Sequence, residues 1–336
     1  MNPVAYSGLR DASSRALLWA CVGLFAVGVA LSLMPVRVHL HPLEYLDLLA
    51  ALGASSGLAL LRSRLTAEPI RRLADFFEII SLLGALCLAG AVASVVLATL
   101  TGPFVDDRLA QGDAVLSIEW RAVYQFVADH QWAQSFGRVA YRSIFWTPFF
   151  LIAGLCFTGR AGAARRTVVA YAVALAITLA IFALVPAAGP LTHYGLVGAS
   201  YVPITGAEQA DLIEAARAGH ASCIRRELLI GIVSFPSFHA ASALIFTWAG
   251  WNLPVARWAT IGINVAMLCA TPIEGNHYFV DLLGGVAVAL VAIALMRARA
   301  PTPAQRRTLA ELFAAQAVKP EPDDSKWPQP EVNRAA

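Results

Sequence analysis

Three stretches of this chain, residues 16–34, 79–100 and 167–192, contain no Asp, Glu, Lys, Arg or His. A helix of about 17–25 residues crosses the hydrocarbon core of a bilayer, and uncharged runs of that length have no place on the surface of a water-soluble domain. Shorter clean runs cover 48–61, 143–159, 240–256, 258–273 and 282–296. Each reaches spanning length once it takes in its flanking charged or His residues. The pattern predicts eight spans: 16–34, 43–61, 76–100, 139–158, 167–187, 235–252, 256–273 and 277–296. The second is the weakest, with Glu44 and Asp47 at its start. In hydrocarbon, backbone polar groups must be satisfied inside the spanning segment, and the alternating ten-residue strands of a barrel are absent, so the spans are predicted to be helices. Composition closes the other routes. Only 14% of residues are charged and 58% are hydrophobic, against about 25% charged in soluble domains, and disorder needs the opposite balance. The fold class expected is an all-α polytopic membrane protein with about eight transmembrane helices.

The placement of the few charges orients the chain. Arginines fall in alternate connections: Arg10 and Arg15; Arg62, Arg64, Arg71 and Arg72; Arg160, Arg165 and Arg166; Arg257; and Arg297, Arg299, Arg306 and Arg307. By the positive-inside rule these face the cytoplasm, together with both termini. The remaining loops, 35–42, 101–138, 188–234 and 274–276, then face out and hold most of the acidic groups. Seven or nine spans would break this agreement. The first run, of 19 residues, is longer than a signal-peptide core and no clear A-x-A site follows, so it reads as an uncleaved span. Three regions result: a two-span extension over 1–75, a six-span core over 76–297, and a cytoplasmic tail over 298–336. In the tail, Leu309, Leu312, Phe313 and Ala317 share one helical face, and the Pro-rich stretch 319–336 reads as disordered. The five cysteines are scattered and odd in number, which fits neither a disulfide framework nor a metal knuckle.

Ionisable residues at membrane depth are costly, so those that occur are candidates for function. Three segments stand out, each at the start of a span. Ser234-Phe235-Pro236-Ser237-Phe238-His239-Ala240 opens span six, with Ser237 as an N-cap and His239 in the first turn, where free amides favour an anion. Gly275-Asn276-His277-Tyr278-Phe279-Val280-Asp281 opens span eight, with Asn276 a possible cap. His277 and Asp281 lie at i and i+4 on one face, where the carboxylate can accept one ring N–H and leave the other nitrogen as nucleophile or base. Gly284 and Gly285 would let a second helix approach closely. Tyr141-Arg142-Ser143 opens span four, and a guanidinium at that depth calls for an anion. Spans four, six and eight run in the same direction, so Arg142, Ser237, His239, His277 and Asp281 can meet at one outer face. Such a pocket suits a phosphate group. The acidic loop residues Asp106, Asp107 and Asp113 read as a solvated loop rather than a cation site.

Pro236-Ser237-Phe238-His239 resembles the Pro-Ser-x-His motif of the type 2 phosphatidic acid phosphatase superfamily, and His277-Tyr278-Phe279-Val280-Asp281 its His-x-x-x-Asp motif. The forms Phe-Pro-Ser-Phe-His-Ala and Gly-x-His-Tyr-x-x-Asp-x-x-x-Gly, together with Pro186–Pro190 and Arg217-Ala218-Gly219, are similar to the inositol phosphorylceramide synthase branch and its bacterial relatives. The resemblance covers about residues 100–296. It departs from the main branch, which carries a Lys…Arg-Pro motif and a Ser-Arg pair before the second His; Ala270 and Thr271 stand at the latter positions here.

The resemblance implies a phosphatase-like six-helix core and a metal-independent phospho-histidine mechanism with no cofactor. His277 would attack phosphorus, Asp281 would orient it, and His239 would protonate the leaving oxygen and then activate the acceptor. Ser237 would hold phosphate oxygens, with Arg142 and Arg217 standing in for the missing cations. The donor expected is a membrane lipid phosphate or phospholipid and the acceptor water or an alcohol, within the bilayer; nucleic acid is not an expected partner. A bacterial inner membrane with a periplasmic site is the expected location. Two other readings use the same residues: a transporter relaying protons through His and Asp, and a metal site formed by both His residues and Asp281.

Overall fold

The computed structural model describes residues 14–24, 26–28, 30, 39–40, 50, 53–54, 57, 64–196, 200–206, 208–219, 223–224 and 231–298. Six long helices follow Arg64: α1 (Glu68–Ala98), α4 (Gln131–Phe157), α5 (Ala161–Leu184), α8 (Phe238–Gly250), α9 (Arg257–Glu274) and α10 (Phe279–Ala298). Each overlaps one of the segments expected as spans three to eight. Four short helices lie between them: α2 (Asp106–Val115), α3 (Trp120–Asp129), α6 (Pro190–His193) and α7 (Glu208–Arg217). The only pairing of extended backbone among the described residues is a two-residue parallel bridge, His39–Leu40 with Cys223–Ile224. The chain is therefore an all-α membrane protein. An apolar helix, Ser14–Gly28, falls within the first expected span. Apart from isolated positions, the second expected span at 43–61 lies outside the described residues, as do the amphipathic segment 303–318 and the tail 319–336.

Four of the six, α1, α4, α5 and α10, are long and apolar enough to cross a membrane. Helix α1 starts at Glu68, earlier than the span at 76, because Glu68-Pro69 is a good helix opening: an acid in the first turn and a proline whose missing N–H costs nothing there. Helix α8 has only 13 residues, about 20 Å, against a hydrocarbon core of about 30 Å. Pro236 and the Ser237 cap stop it at Phe238. The irregular backbone before it is tolerated because Ser234 and Ser237 are fully buried in protein.

The six helices form one bundle. Its main apolar core joins α1, α4, α5, α8 and α10, with Leu86, Ile152, Leu155, Phe246 and Ala289 at or near zero exposure. Charge is buried at the end of the bundle where α1 and α5 begin. Arg165 of α5 is fully buried and lies 2.5 Å from Asp75 and 3.5 Å from Glu78 of α1. Glu78 in turn accepts from Arg15 at 2.5 Å and Trp19 Nε1 at 2.6 Å, which ties the N-terminal helix to the core. The other end carries the short helices and the starts of α8 and α10.

Candidate active site

Helices α8 and α10 cross closely at their starts because Gly285 has no side chain. A Cβ there would sit 2.1 Å from the Ser237 carbonyl oxygen and 2.9 Å from Ala240 Cβ, and one at Gly284 would touch Phe235 and Pro236 at 3.0 Å. This is the close approach expected of the two glycines. The Ser237 N–H donates to the Asp281 carbonyl at 2.9 Å, so the two motif segments are joined backbone to backbone. Ser237 caps α8, its side chain accepting from the Ala240 N–H at 3.4 Å.

The pair at i and i+4 is formed. His277 Nδ1 lies 3.2 Å from Asp281 Oδ2, both side chains being buried. The same carboxylate oxygen accepts from Ser234 Oγ at 2.9 Å and the Tyr278 N–H at 3.0 Å. Three contacts on Oδ2 fix the carboxylate, and the carboxylate fixes the imidazole. With Nδ1 engaged, Nε2 is the nitrogen left for chemistry. The His239 ring stands 6.3 Å from the His277 ring, centroid to centroid, at 61°. Tyr141 stacks on the other side of His239 at 4.2 Å and 18°, with its hydroxyl 3.5 Å from Nδ1 and 3.2 Å from Thr205 Oγ1. Two imidazoles thus stand 6.3 Å apart between ring centres, one held by a carboxylate and the other by an aromatic face.

The expected cations are placed differently. Arg142 lies on the exposed side of α4, beside Tyr141, and its field reaches the buried Glu274. Arg217, at the end of α7, is committed to the segment after α1. Its guanidinium lies 4.2 Å over the Phe104 ring, bonds Thr101 Oγ1 at 3.1 Å and the Gly102 carbonyl, and pairs with Glu214 at 3.8 Å. His239, His277, Asp281 and Ser237 are brought together; Arg142 adjoins them at Tyr141; Arg217 serves the packing of α7.

Four supporting groups had no signal in the motifs. Trp120 Nε1 donates to the His277 carbonyl at 3.0 Å. Glu274 accepts from the Tyr201 hydroxyl and from the Ile204 N–H at 3.2 Å, pinning the 201–205 loop next to Tyr141. Burial, and then the carboxylate it donates to, push the Tyr201 hydroxyl up to about 12, so it stays a donor. Asp106 and Asp113 are neither a solvated loop nor a cation site. Asp106 accepts the Ala188 and Gly189 amides at 2.9 and 2.8 Å and the Tyr278 hydroxyl at 3.0 Å. Asp113 accepts the Phe279 and Val280 amides at 3.0 and 2.9 Å, capping α10 from outside. Asn276 is not the cap of α10. Its Oδ1 accepts the Leu191 N–H at 2.9 Å, and it lies against Gly189, whose φ of 92° and closeness to Asn276 admit no Cβ. The metal reading is not favoured by this layout: Asp281 is turned onto His277 Nδ1, and among the described residues no group of three or more His, Cys, Asp or Glu is arranged to hold an ion.

The Asp113 cap makes a prediction. Its carboxylate sits one and two residues from Tyr278, and burial raises it while the two amides pull it back. Asp113→Ala should leave both amides unpaired at the start of α10, two residues past His277, and should cost about 1–2 kcal/mol of stability. Turnover should fall by about ten-fold or more with little change in KM, because the misplaced group is the one that reacts. Steady-state kinetics beside thermal unfolding check it; an unaltered kcat would show that α10 needs no outer cap.

A family model described as PAP2 superfamily matches residues 107–295, more than half of the chain. No curated protein and no solved structure matches it.

Proposed function

The chain belongs to the PAP2 superfamily, and from that premise we propose that it is an integral membrane lipid phosphatase or phospho-head-group transferase working through a phospho-histidine intermediate. Members of the superfamily act as phosphatases in general. The observation that carries the finer reading is the His277 Nδ1–Asp281 Oδ2 bond at 3.2 Å with the His239 ring 6.3 Å away.

In the first half-reaction the His277 Nε2 lone pair forms a bond to phosphorus, and the bond from phosphorus to the lipid oxygen breaks. That oxygen takes a proton from His239. The Asp281 carboxylate balances the positive ring that forms. In the second half, His239 takes a proton from water or an alcohol, whose oxygen displaces Nε2 from phosphorus. The Ser237 hydroxyl and the Phe238 and His239 amides in the first turn of α8 are the groups toward which phosphate oxygens turn as charge develops. Arg142, exposed on α4 beside Tyr141, is the cation proposed for the same group. Hydrolysis and transfer differ only in the acceptor of the second half-reaction, so phosphatase and transferase chemistry share every residue named.

The Phe235–Ala240 and Gly275–Asp281 segments support placement with the inositol phosphorylceramide synthase-like branch and its bacterial relatives, hence a bacterial inner membrane, and the Arg pattern supports cytoplasmic termini and a site on the opposite face. The transporter reading has no support in the family match. The test uses the full chain in nanodiscs with radiolabelled phosphatidic acid. Phosphate release, undiminished in chelator, and an acid-labile label on His277 are the expected results. Loss of activity in chelator, or label on no histidine, would overturn the mechanism.

A further inference from the structure

The outward faces of α4 and α9 enclose a groove of about 410 Å³ whose wall is almost wholly apolar. On α4 it runs from Phe136 to Leu151, about 22 Å at the helical rise, which exceeds one leaflet of a hydrocarbon core about 30 Å thick. Its head adjoins the reaction site. Ala140 lines the groove while the next residue, Tyr141, stacks on His239. Ala140, Tyr141 and Ala270 pack together, with Ala266 of the groove wall against them. One turn of α4 therefore faces the groove with one residue and the catalytic imidazole with its neighbour.

Ser143 lies at this head, two residues past Tyr141. It lines the groove, is 6% exposed, and its Oγ has no hydrogen-bond partner. In α9 such hydroxyls are satisfied by the preceding turn. Thr260, also in the groove wall, donates to Ala256 O at 3.0 Å, and Thr271 donates to Met267 O at 2.7 Å. A buried hydroxyl left unmade in hydrocarbon is expensive, and such a group calls for a partner.

We propose that this groove seats the acyl chain of the lipid phosphate, with Ser143 donating to the ester or amide carbonyl at the head of the chain. The inference rests on the lipid-phosphate reading of the site and narrows it: the substrate is an acyl-linked lipid rather than a polyprenyl phosphate, whose chain has no carbonyl to offer. The phosphate lies between the two imidazoles, the carbonyl at Ser143, two residues further along α4 than Tyr141, and the chain continues toward Phe150 and Leu253.

The test compares wild type with Ser143→Ala on phosphatidic acid and on its ether-linked analogue, which differs only in lacking the carbonyls. KM for the ester lipid should rise roughly five-fold, the worth of one hydrogen bond, with kcat and the ether lipid unaffected. Filling the groove with Ala259→Phe should raise KM for a sixteen-carbon (about one leaflet and more) phosphatidic acid but not for a short-chain one. Equal effects on ester and ether lipids, or faster turnover of a polyprenyl phosphate, overturn the proposal. A phosphatidic acid with a diazirine in its chain reports occupancy without turnover. Crosslinks at Trp146, Phe150 or Leu253 from a protein that releases no phosphate would keep the groove and remove the reaction; crosslinks confined to other faces would remove the groove.

Discussion

His277→Ala should lower turnover of a lipid phosphate by roughly four orders of magnitude or more, the scale seen when a covalent nucleophile is removed from a coupled catalytic set. No neighbour can replace it. His239 is held by Tyr141 on its far side, and its centroid stands 6.3 Å away. Asp281 Oδ2 keeps Ser234 and the Tyr278 amide as partners when the imidazole is gone, so the carboxylate is not orphaned and the crossing of α8 and α10 at Gly285 persists. The variant should therefore unfold within about 1–2 kcal/mol of wild type while forming no phosphorylated protein. Asp281→Asn should be less severe, about 10²- to 10⁴-fold, the range for groups that tune proton transfer. Normal turnover by the alanine variant on the proper substrate would sink the phospho-histidine reading, whatever its stability.

What could be read from the chain follows from the cost of polarity in hydrocarbon. His239, His277 and Asp281 stood out because each occupies a helix start where a charge must be explained, and the i, i+4 spacing named the partner. The groups that hold them in place were hidden because their partners are distant in sequence. Trp120 reaches the His277 carbonyl across 157 positions, and Asp113 caps residues 166 and 167 positions further on. Even so, Asp106 and Asp113 are seven apart, two turns on one face of α2, which is a pattern for docking rather than for a solvated loop. Tyr141 is an aromatic residue at a span entrance, where an interfacial belt is the default expectation, so its stacking on His239 had no sequence signature. Arg217 came forward through the resemblance of Arg217-Ala218-Gly219, and its guanidinium lies over the ring of Phe104.

The arginines that orient the chain also hide a second function, at the opposite end of the bundle from the histidines. Arg165 counts as one more cytoplasmic charge in the sequence, yet it is fully buried against Asp75 and Glu78, which are 4% and 1% exposed. Arg165→Ala would leave two carboxylates three residues apart on one face of α1 with less positive charge to balance them. Breaking a buried pair in this way costs about 3–5 kcal/mol, a large share of the 5–15 kcal/mol that holds a typical domain folded. The variant should express poorly and lose its thermal transition or shift it far down, with the N-terminal helix loosened because Glu78 also holds Arg15 and Trp19. Removing the opposed charges together should restore most of the loss. Arg165→Met with Asp75→Ala replaces one ion pair by apolar groups no larger than those removed, and apolar exchanges are often neutral or stabilising in other buried pairs, while Arg15 stays on Glu78. Thermal unfolding in detergent of the single and double variants separates the outcomes. A wild-type transition in Arg165→Ala would mean that water reaches this end of the bundle, and that the pair is a surface charge contact rather than the pin between α1 and α5.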